Sequence, residues 1–258
     1  MKHYHFPNLM KYRLTSSLFL CALCCSFGEK TSAMDGVVST FSVPPFSEDA
    51  TVAGIDGWTI ISSGNPDFTT VRSFGDSRTG LLLRTYGIQK ELKEPMDGQV
   101  TVTLVMQFGF VAEKGTGSQF VAMPMIGVGV GSAPFGFSNA DVSSEEPGGF
   151  YYVEKSLGQD GSLIQKNVYL LPRTAIFEGA KYTLAMAMDL DNRTYVLTIS
   201  GIDSDGKPIE LKSGEVAMDP PERISSGKQF LTGIRLASGL PSNTELFVES
   251  VSMAPTPQ

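Results

Sequence analysis

The residues of this 258-residue chain that could do chemistry are carboxylates, tyrosines and one tryptophan. Its histidines, His3 and His5, and its cysteines, Cys21, Cys24 and Cys25, all precede residue 34. If that segment is removed, serine-histidine, cysteine-histidine and histidine-based zinc chemistry lose the group that titrates near neutral pH. Carboxylate pairs for glycoside hydrolysis, or tyrosine with arginine or lysine for elimination, survive that exclusion. Glu145 and Glu146 are adjacent, so a strand would turn them to opposite faces. The following Pro147-Gly148-Gly149 marks a loop, and a solvated acidic loop suits them better than two carboxyls about 5 Å apart on one groove. Asp189 with Asp191, and Asp203 with Asp205, share i, i+2 spacing that could offer oxygens to calcium. Aspartate is also what turns select for their backbone hydrogen bonds, and the turn reading is preferred.

Sugar recognition needs aromatic faces to stack on and polar groups to grip hydroxyls. Trp58, the only tryptophan, opens the apolar run WTII, which favours packing and leaves a stacking platform as the alternative. Tyr151 and Tyr152 are neighbours, so a strand there would bury one ring and expose the other. Trp58, Tyr151 and Tyr152 are therefore the candidate ligand-binding residues. Phe135 and Phe137 are either exposed contacts or the anchor of their own loop.

The N-terminal segment reads as a secretory signal: Lys2, Lys11 and Arg13, then the apolar run Leu18 to Phe27, then Thr31-Ser32-Ala33. Residues 1–33 are expected to be cleaved, placing the chain outside the cell or in the periplasm. About ten apolar residues are too few for a bilayer-spanning helix, so no transmembrane segment is expected in the mature chain. Lipidation is disfavoured, because Leu20, Leu23 and Cys24, which precede the cysteines, are not small. Cleavage would remove Lys2, Lys11, Arg13, Lys30 and Glu29, leaving 16 basic against 26 acidic residues, a net charge of −10. Nucleic acid and anionic membrane surfaces are thereby excluded as expected partners.

Period-two patterning must position these groups. In Val100 to Phe108 the apolar residues Val100, Val102, Leu104, Met106 and Phe108 alternate with Thr101, Thr103 and Gln107. Lys181 to Met188 repeats the pattern, and Arg193 to Ser200 follows across Asp189-Leu190-Asp191-Asn192 as a hairpin. Further strands are expected at Trp58–Ser62, Gly80–Thr85, Gln119–Ile126, Phe150–Lys155, Asn167–Leu171, Gln229–Leu236 and Glu245–Met253. The longest gap, Gly127 to Gly149, reads as a loop. The triplet Asn192-Arg193-Thr194 matches a glycosylation acceptor and reads more simply as the hairpin turn. Residues 34–253 are expected to form a single β domain, a sandwich of two packed antiparallel sheets or a barrel, and 254–258 a frayed tail.

Pro44-Pro45-Phe46 with Gly54-Ile55-Asp56-Gly57-Trp58, then KYTLAMAMDLDNRTYVLTISG, then FLTGIRLASGLPSNTELFVESVSM, together resemble the concanavalin A-like lectin and glucanase superfamily, in particular laminin G-like jelly-roll domains of bacterial secreted proteins. The resemblance implies an all-β, two-sheet antiparallel jelly-roll sandwich whose last strand pairs near the first. It also implies a structural calcium, with Glu48 or Asp49 and Glu249 as ligands. Relatives often close on an Asp-Asn pair where this chain has Glu249-Ser250, and a glutamate still ligates calcium. The glucanase strand E-x-D-x-x-E does not occur here. A non-catalytic domain binding a glycan or cell-surface component is the expected function. The alternatives are a polysaccharide hydrolase or lyase of the same fold, and an adhesion domain without a sugar site.

Overall fold

The strands form where the alternation is strongest and where turns carry their own hydrogen bonds. The computed structural model describes residues 36–61, 69–74, 78–83, 87–111, 118–127, 133–140, 148–203, 205–220, 227–240 and 244–256. The expected leader, the Glu145-Glu146 pair and residues 257–258 lie outside them. Strands β1 to β8 are Val37–Thr40, Trp58–Ile60, Thr69–Phe74, Arg78–Leu83, Gly87–Met96, Gln99–Phe110, Gln119–Ile126 and Phe135–Ser138. Strands β9 to β16 are Gly149–Leu157, Leu163–Pro172, Lys181–Asp189, Thr194–Ile202, Pro208–Lys212, Val216–Ala217, Leu231–Ser238 and Glu245–Pro255.

They make two antiparallel sheets. A nine-stranded sheet runs β13-β12-β11-β6-β16-β4-β3, with β1 beside β16 and β14 beside β12. A seven-stranded sheet runs β10-β9-β8-β7-β15-β5-β2. The expected two-sheet antiparallel jelly-roll sandwich is the fold of the chain, and β16 pairs with β1 as the resemblance implied. The hairpin expected at Asp189 is also present: Asp189 accepts from Asn192 N at 2.8 Å and Asn192 Nδ2 at 2.9 Å while Arg193 takes φ 57°. Asp203 serves the next turn, accepting from Asp205 N at 2.9 Å and Lys207 N at 2.8 Å. Turn chemistry thus accounts for the first aspartate of each pair, Asp189 and Asp203.

The inward residues of the two sheets meet in one core. Phe108 and Tyr182 from the nine-stranded sheet interlock edge-on with Phe137 and Phe150 from the other, at centroid distances from 4.9 Å (Phe108 to Phe137) to 5.8 Å (Phe108 to Phe150). Part of the stretch expected as a loop is β8, in which Phe135 and Phe137 are buried. Gly136 between them is obligatory, because a Cβ there would stand 2.0 Å from the carbonyl oxygen of Phe120 on β7.

Candidate functional site

The three aromatic residues expected to meet a ligand are all interior. Trp58 faces the core from β2 with no exposed surface, its ring 5.6 Å from that of Phe41. Its indole Nε1 donates to Ser39 Oγ at 3.2 Å. Tyr152 also faces the core, edge-on to Tyr195 at 6.3 Å, and its hydroxyl donates to Glu154 at 3.2 Å. Tyr151 points to the opposite face, as alternation requires, yet is only 1% exposed. The expectation that one ring of this pair would be exposed is corrected. The residue facing Tyr151 on β8 is Gly136, which has no side chain, so the phenol crosses that strand and donates to Gln119 Oε1 on β7 at 3.0 Å. The ring of Tyr169 on β10 covers its other side at 5.8 Å.

The carboxylates expected to hold calcium are not brought together. Glu48 accepts from Ser73, Asp49 pairs with Arg72, and Glu249 pairs with Lys181. Glu249 Oε1 is buried without a hydrogen-bond partner, but no group of three acidic, histidine or cysteine residues stands together among the described residues. A calcium ion takes six to eight oxygens, and this set does not fit one. Where β1, β5 and the loop before β2 meet, the organising charge is an ammonium. Lys90 Nζ on β5, in a side chain almost wholly buried, donates to Ser39 Oγ at 2.9 Å and to Asp56 Oδ2 at 2.6 Å, and Ser39 itself donates to Asp56 at 2.7 Å. Burial pushes the Asp56 carboxyl up, and the hydrogen bonds from Lys90 and Ser39 outweigh it, leaving the group below its ordinary range.

The chemistry that faces outward lies elsewhere, on the outer face of the seven-stranded sheet. Along β7, Phe120, Ala122 and Ile126 turn inward, so Gln119, Val121, Met123 and Met125 face out, half-buried. The register sets Met123 opposite Arg235, Arg235 opposite Gln89, and Gln89 opposite Thr59, one row across four strands. The neighbouring row runs Gly87, Ala237, Val121, Gly136, Tyr151, Tyr169. Arg235 Nη2 donates to Gln89 Oε1 at 3.0 Å, and Gln89 Nε2 donates to Glu91 Oε1 at 3.3 Å. Arg235 Nε is buried and has no hydrogen-bond partner among the described residues. The face thus offers a guanidinium, an amide and a carboxylate held in line, beside half-exposed methionine and valine. Neither Arg235 nor Gln89 was singled out from the sequence. The available signal was that Arg235 is the outward polar residue of an alternating strand; β5, with Lys90 turned inward, offered none for Gln89.

Comparison with protein-family models finds no match, and comparison with curated proteins finds none. Solved structures do resemble the chain. Lectin I-B4 from Griffonia simplicifolia is 12% identical, with a TM-score of 0.46, covering 86% of this chain and 100% of that one. Lectin II from Ulex europaeus is 11% identical, with a TM-score of 0.46 and coverages of 86% and 99%. The PL-14 alginate lyase from Aplysia kurodai is 8% identical, with a TM-score of 0.49 and coverages of 76% and 90%. The fold, read from the strand order, is a two-sheet antiparallel jelly-roll sandwich.

Within this jelly roll the acid–base groups are dispersed. The Tyr151 hydroxyl rests on Gln119, four residues along β7 from the Met123 that faces Arg235, about 13 Å at about 3.3 Å per residue, so Arg235 and Tyr151 do not converge on one bond. Burial pushes Tyr182 up to about 12 and raises Tyr195 too; Tyr152 is raised by burial and by Glu154. Each of these phenols is held protonated at neutral pH, the wrong direction for a general base. A cavity of about 210 Å³ at the β11–β12 end of the other sheet is lined by Gln99, Asp189, Thr194, Glu215 and Thr256 among others. Its Asp189 already serves the hairpin turn.

Proposed function

We propose that the protein is an exported, non-catalytic domain that binds a carbohydrate or cell-surface component on the outer face of its seven-stranded sheet. The observation that carries this reading is the row Thr59, Gln89, Arg235, Met123, where a hydrogen-bonded guanidinium and amide sit beside half-buried apolar side chains. Hydroxyl-rich ligands are recognised by planar polar groups fixed before binding, with apolar surface for the sugar's C–H faces. Holding Gln89 between Arg235 and Glu91 fixes its amide, which lowers the ordering cost on binding. The dispersal of tyrosines and arginine supports binding over elimination chemistry. Export rests on the N-terminal charge and apolar pattern, with cleavage near Ala33.

The test is affinity electrophoresis of the purified protein through gels containing a broad polysaccharide panel. At least one glycan is expected to retard it, and Arg235→Ala and Gln89→Ala are each expected to reduce the retardation. Uniform migration in every glycan overturns the binding reading. Release of new reducing ends or unsaturated sugars overturns the non-catalytic part.

A further inference from the structure

The outer face of the nine-stranded sheet has a different composition, and its register can be read residue by residue. One row runs Ser200, Thr183, Val105, Ser250, Thr40 across β12, β11, β6, β16 and β1. The next runs Thr198, Ala185, Thr103, Ser252, Val38, and a third Val196, Ala187, Thr101, Ala254. No residue in these rows is charged, although 18% of the chain is. The charges stand around them: the Lys181–Glu249 pair at one end, Asp189 at the other, and the Lys212–Glu210 pair along the β13 side. Val38 is 60% exposed, the highest of the large apolar side chains among the described residues.

We infer that this face is an interface between two copies of the chain, stacked sheet against sheet. At about 4.8 Å per strand and about 6.7 Å per row, the fourteen positions of these rows make an uncharged centre of about 450 Å² in plane. Glu210 and Lys212 of β13 and the Asp189 row bring this to about 640 Å², at the low end of the roughly 600–1,000 Å² per partner of a stable interface. An uncharged centre inside a polar rim is how such interfaces are built. The occupant follows from charge and hydrogen-bonding character. The chain carries a net −7, so two copies repel through any acidic surface and approach best through a face without charge. Serine and threonine hydroxyls both donate and accept, so the patch is complementary to itself, as a two-fold interface requires. Small side chains also allow the two sheets to close to about 10 Å or less.

Sedimentation equilibrium of the full chain at concentrations up to about 100 µM tests this, a range that brackets interfaces of this size. A dimer is expected. Thr103→Lys, at the centre of the rows, is expected to raise the dimer dissociation constant about 100-fold or more while the strand signal in circular dichroism is kept. An equimolar mixture with Thr103→Glu is expected to recover a dimer. Should Thr103→Lys not fold, Ala185→Lys and Ala185→Glu take its place on the adjoining strand. A monomer at about 100 µM overturns the inference, as does a dimer that Thr103→Lys leaves intact, or a mixed sample that stays monomeric.

Discussion

The two outer faces of this sandwich cover the same core by the same alternation, and they differ in what stands on the outward positions. On the seven-stranded sheet those positions hold Arg235, Gln89, Glu91, Gln119 and Tyr151, tied by hydrogen bonds across strands (Arg235 to Gln89, Tyr151 to Gln119) and along β5 (Gln89 to Glu91). At the centre of the nine-stranded sheet they hold threonine, serine, alanine and valine, all of them short. Long polar groups fixed across strands suit a ligand with directional hydrogen bonds. A smooth, uncharged lattice suits another flat surface. The strand pattern that builds the core therefore constrains neither face, and function on each is set by the alternate residues that the core does not use.

The comparison breaks most visibly at Tyr151. Its ring belongs to the seven-stranded face by register but to the interior by exposure, so it is expected to act on stability first. Tyr151→Ala is expected to cost about 3 kcal/mol in urea unfolding, in the range for buried aromatic truncation, whereas Tyr151→Phe, which keeps the ring and loses the hydroxyl that bonds Gln119, is expected to cost about 1 kcal/mol. Equal stability of Tyr151→Ala and the unaltered protein would mean that the ring is ligand surface rather than part of the sheet.

A second, smaller effect is expected where the two sheets are joined. Lys90 of β5, Ser39 of β1 and Asp56 in the loop before β2 link both sheets through one ammonium. Lys90→Ala is expected to cost about 2 kcal/mol, less than the about 3–5 kcal/mol of a fully buried pair, because Asp56 retains 35% side-chain exposure. The pair also gives an acid-side signature. Asp56 titrates in the folded protein below its ordinary value of 3.8, so its contribution is present in full above that value and lost as pH falls through the lower folded value. Stability of the unaltered protein is thus expected to fall more steeply below about pH 4 than that of Asp56→Asn. Parallel slopes in urea titrations would show that the carboxylate is not held by Lys90.

How much of this was legible depended on range along the chain. The strands around Val100 to Phe108 and Lys181 to Ser200 were readable because each buries one face completely. Strand β5 was not, because Lys90 turns inward to serve the polar network while Glu91 to Pro95 read as surface. Strand β8 was hidden by its glycine-rich neighbourhood, although Gly136 is what lets β7 pass so closely. The candidate site was less legible still. Arg235 and Gln89 are 146 residues apart and meet only through the β15–β5 register. The burial of Tyr151 follows from a glycine on the next strand, which no property of the Tyr151-Tyr152 pair reveals.

The smallest effect on stability sharpens the comparison furthest. Gln89→Ala and Thr103→Ala each remove a partly exposed side chain from the middle of an outer face, and each is expected to change unfolding free energy by about 0.5 kcal/mol or less. Their consequences are expected to separate by face. Removing Gln89 leaves Arg235 Nη2 without its acceptor and frees the guanidinium to reorient, so glycan retardation is expected to drop several-fold. Removing the Thr103 hydroxyl leaves that row untouched, so retardation is expected to stay within error of the unaltered protein. Loss of retardation in both variants would merge the two faces into one ligand-responsive unit. Loss in Thr103→Ala alone would move the glycan site to the nine-stranded sheet, where it would compete directly with the second copy of the chain.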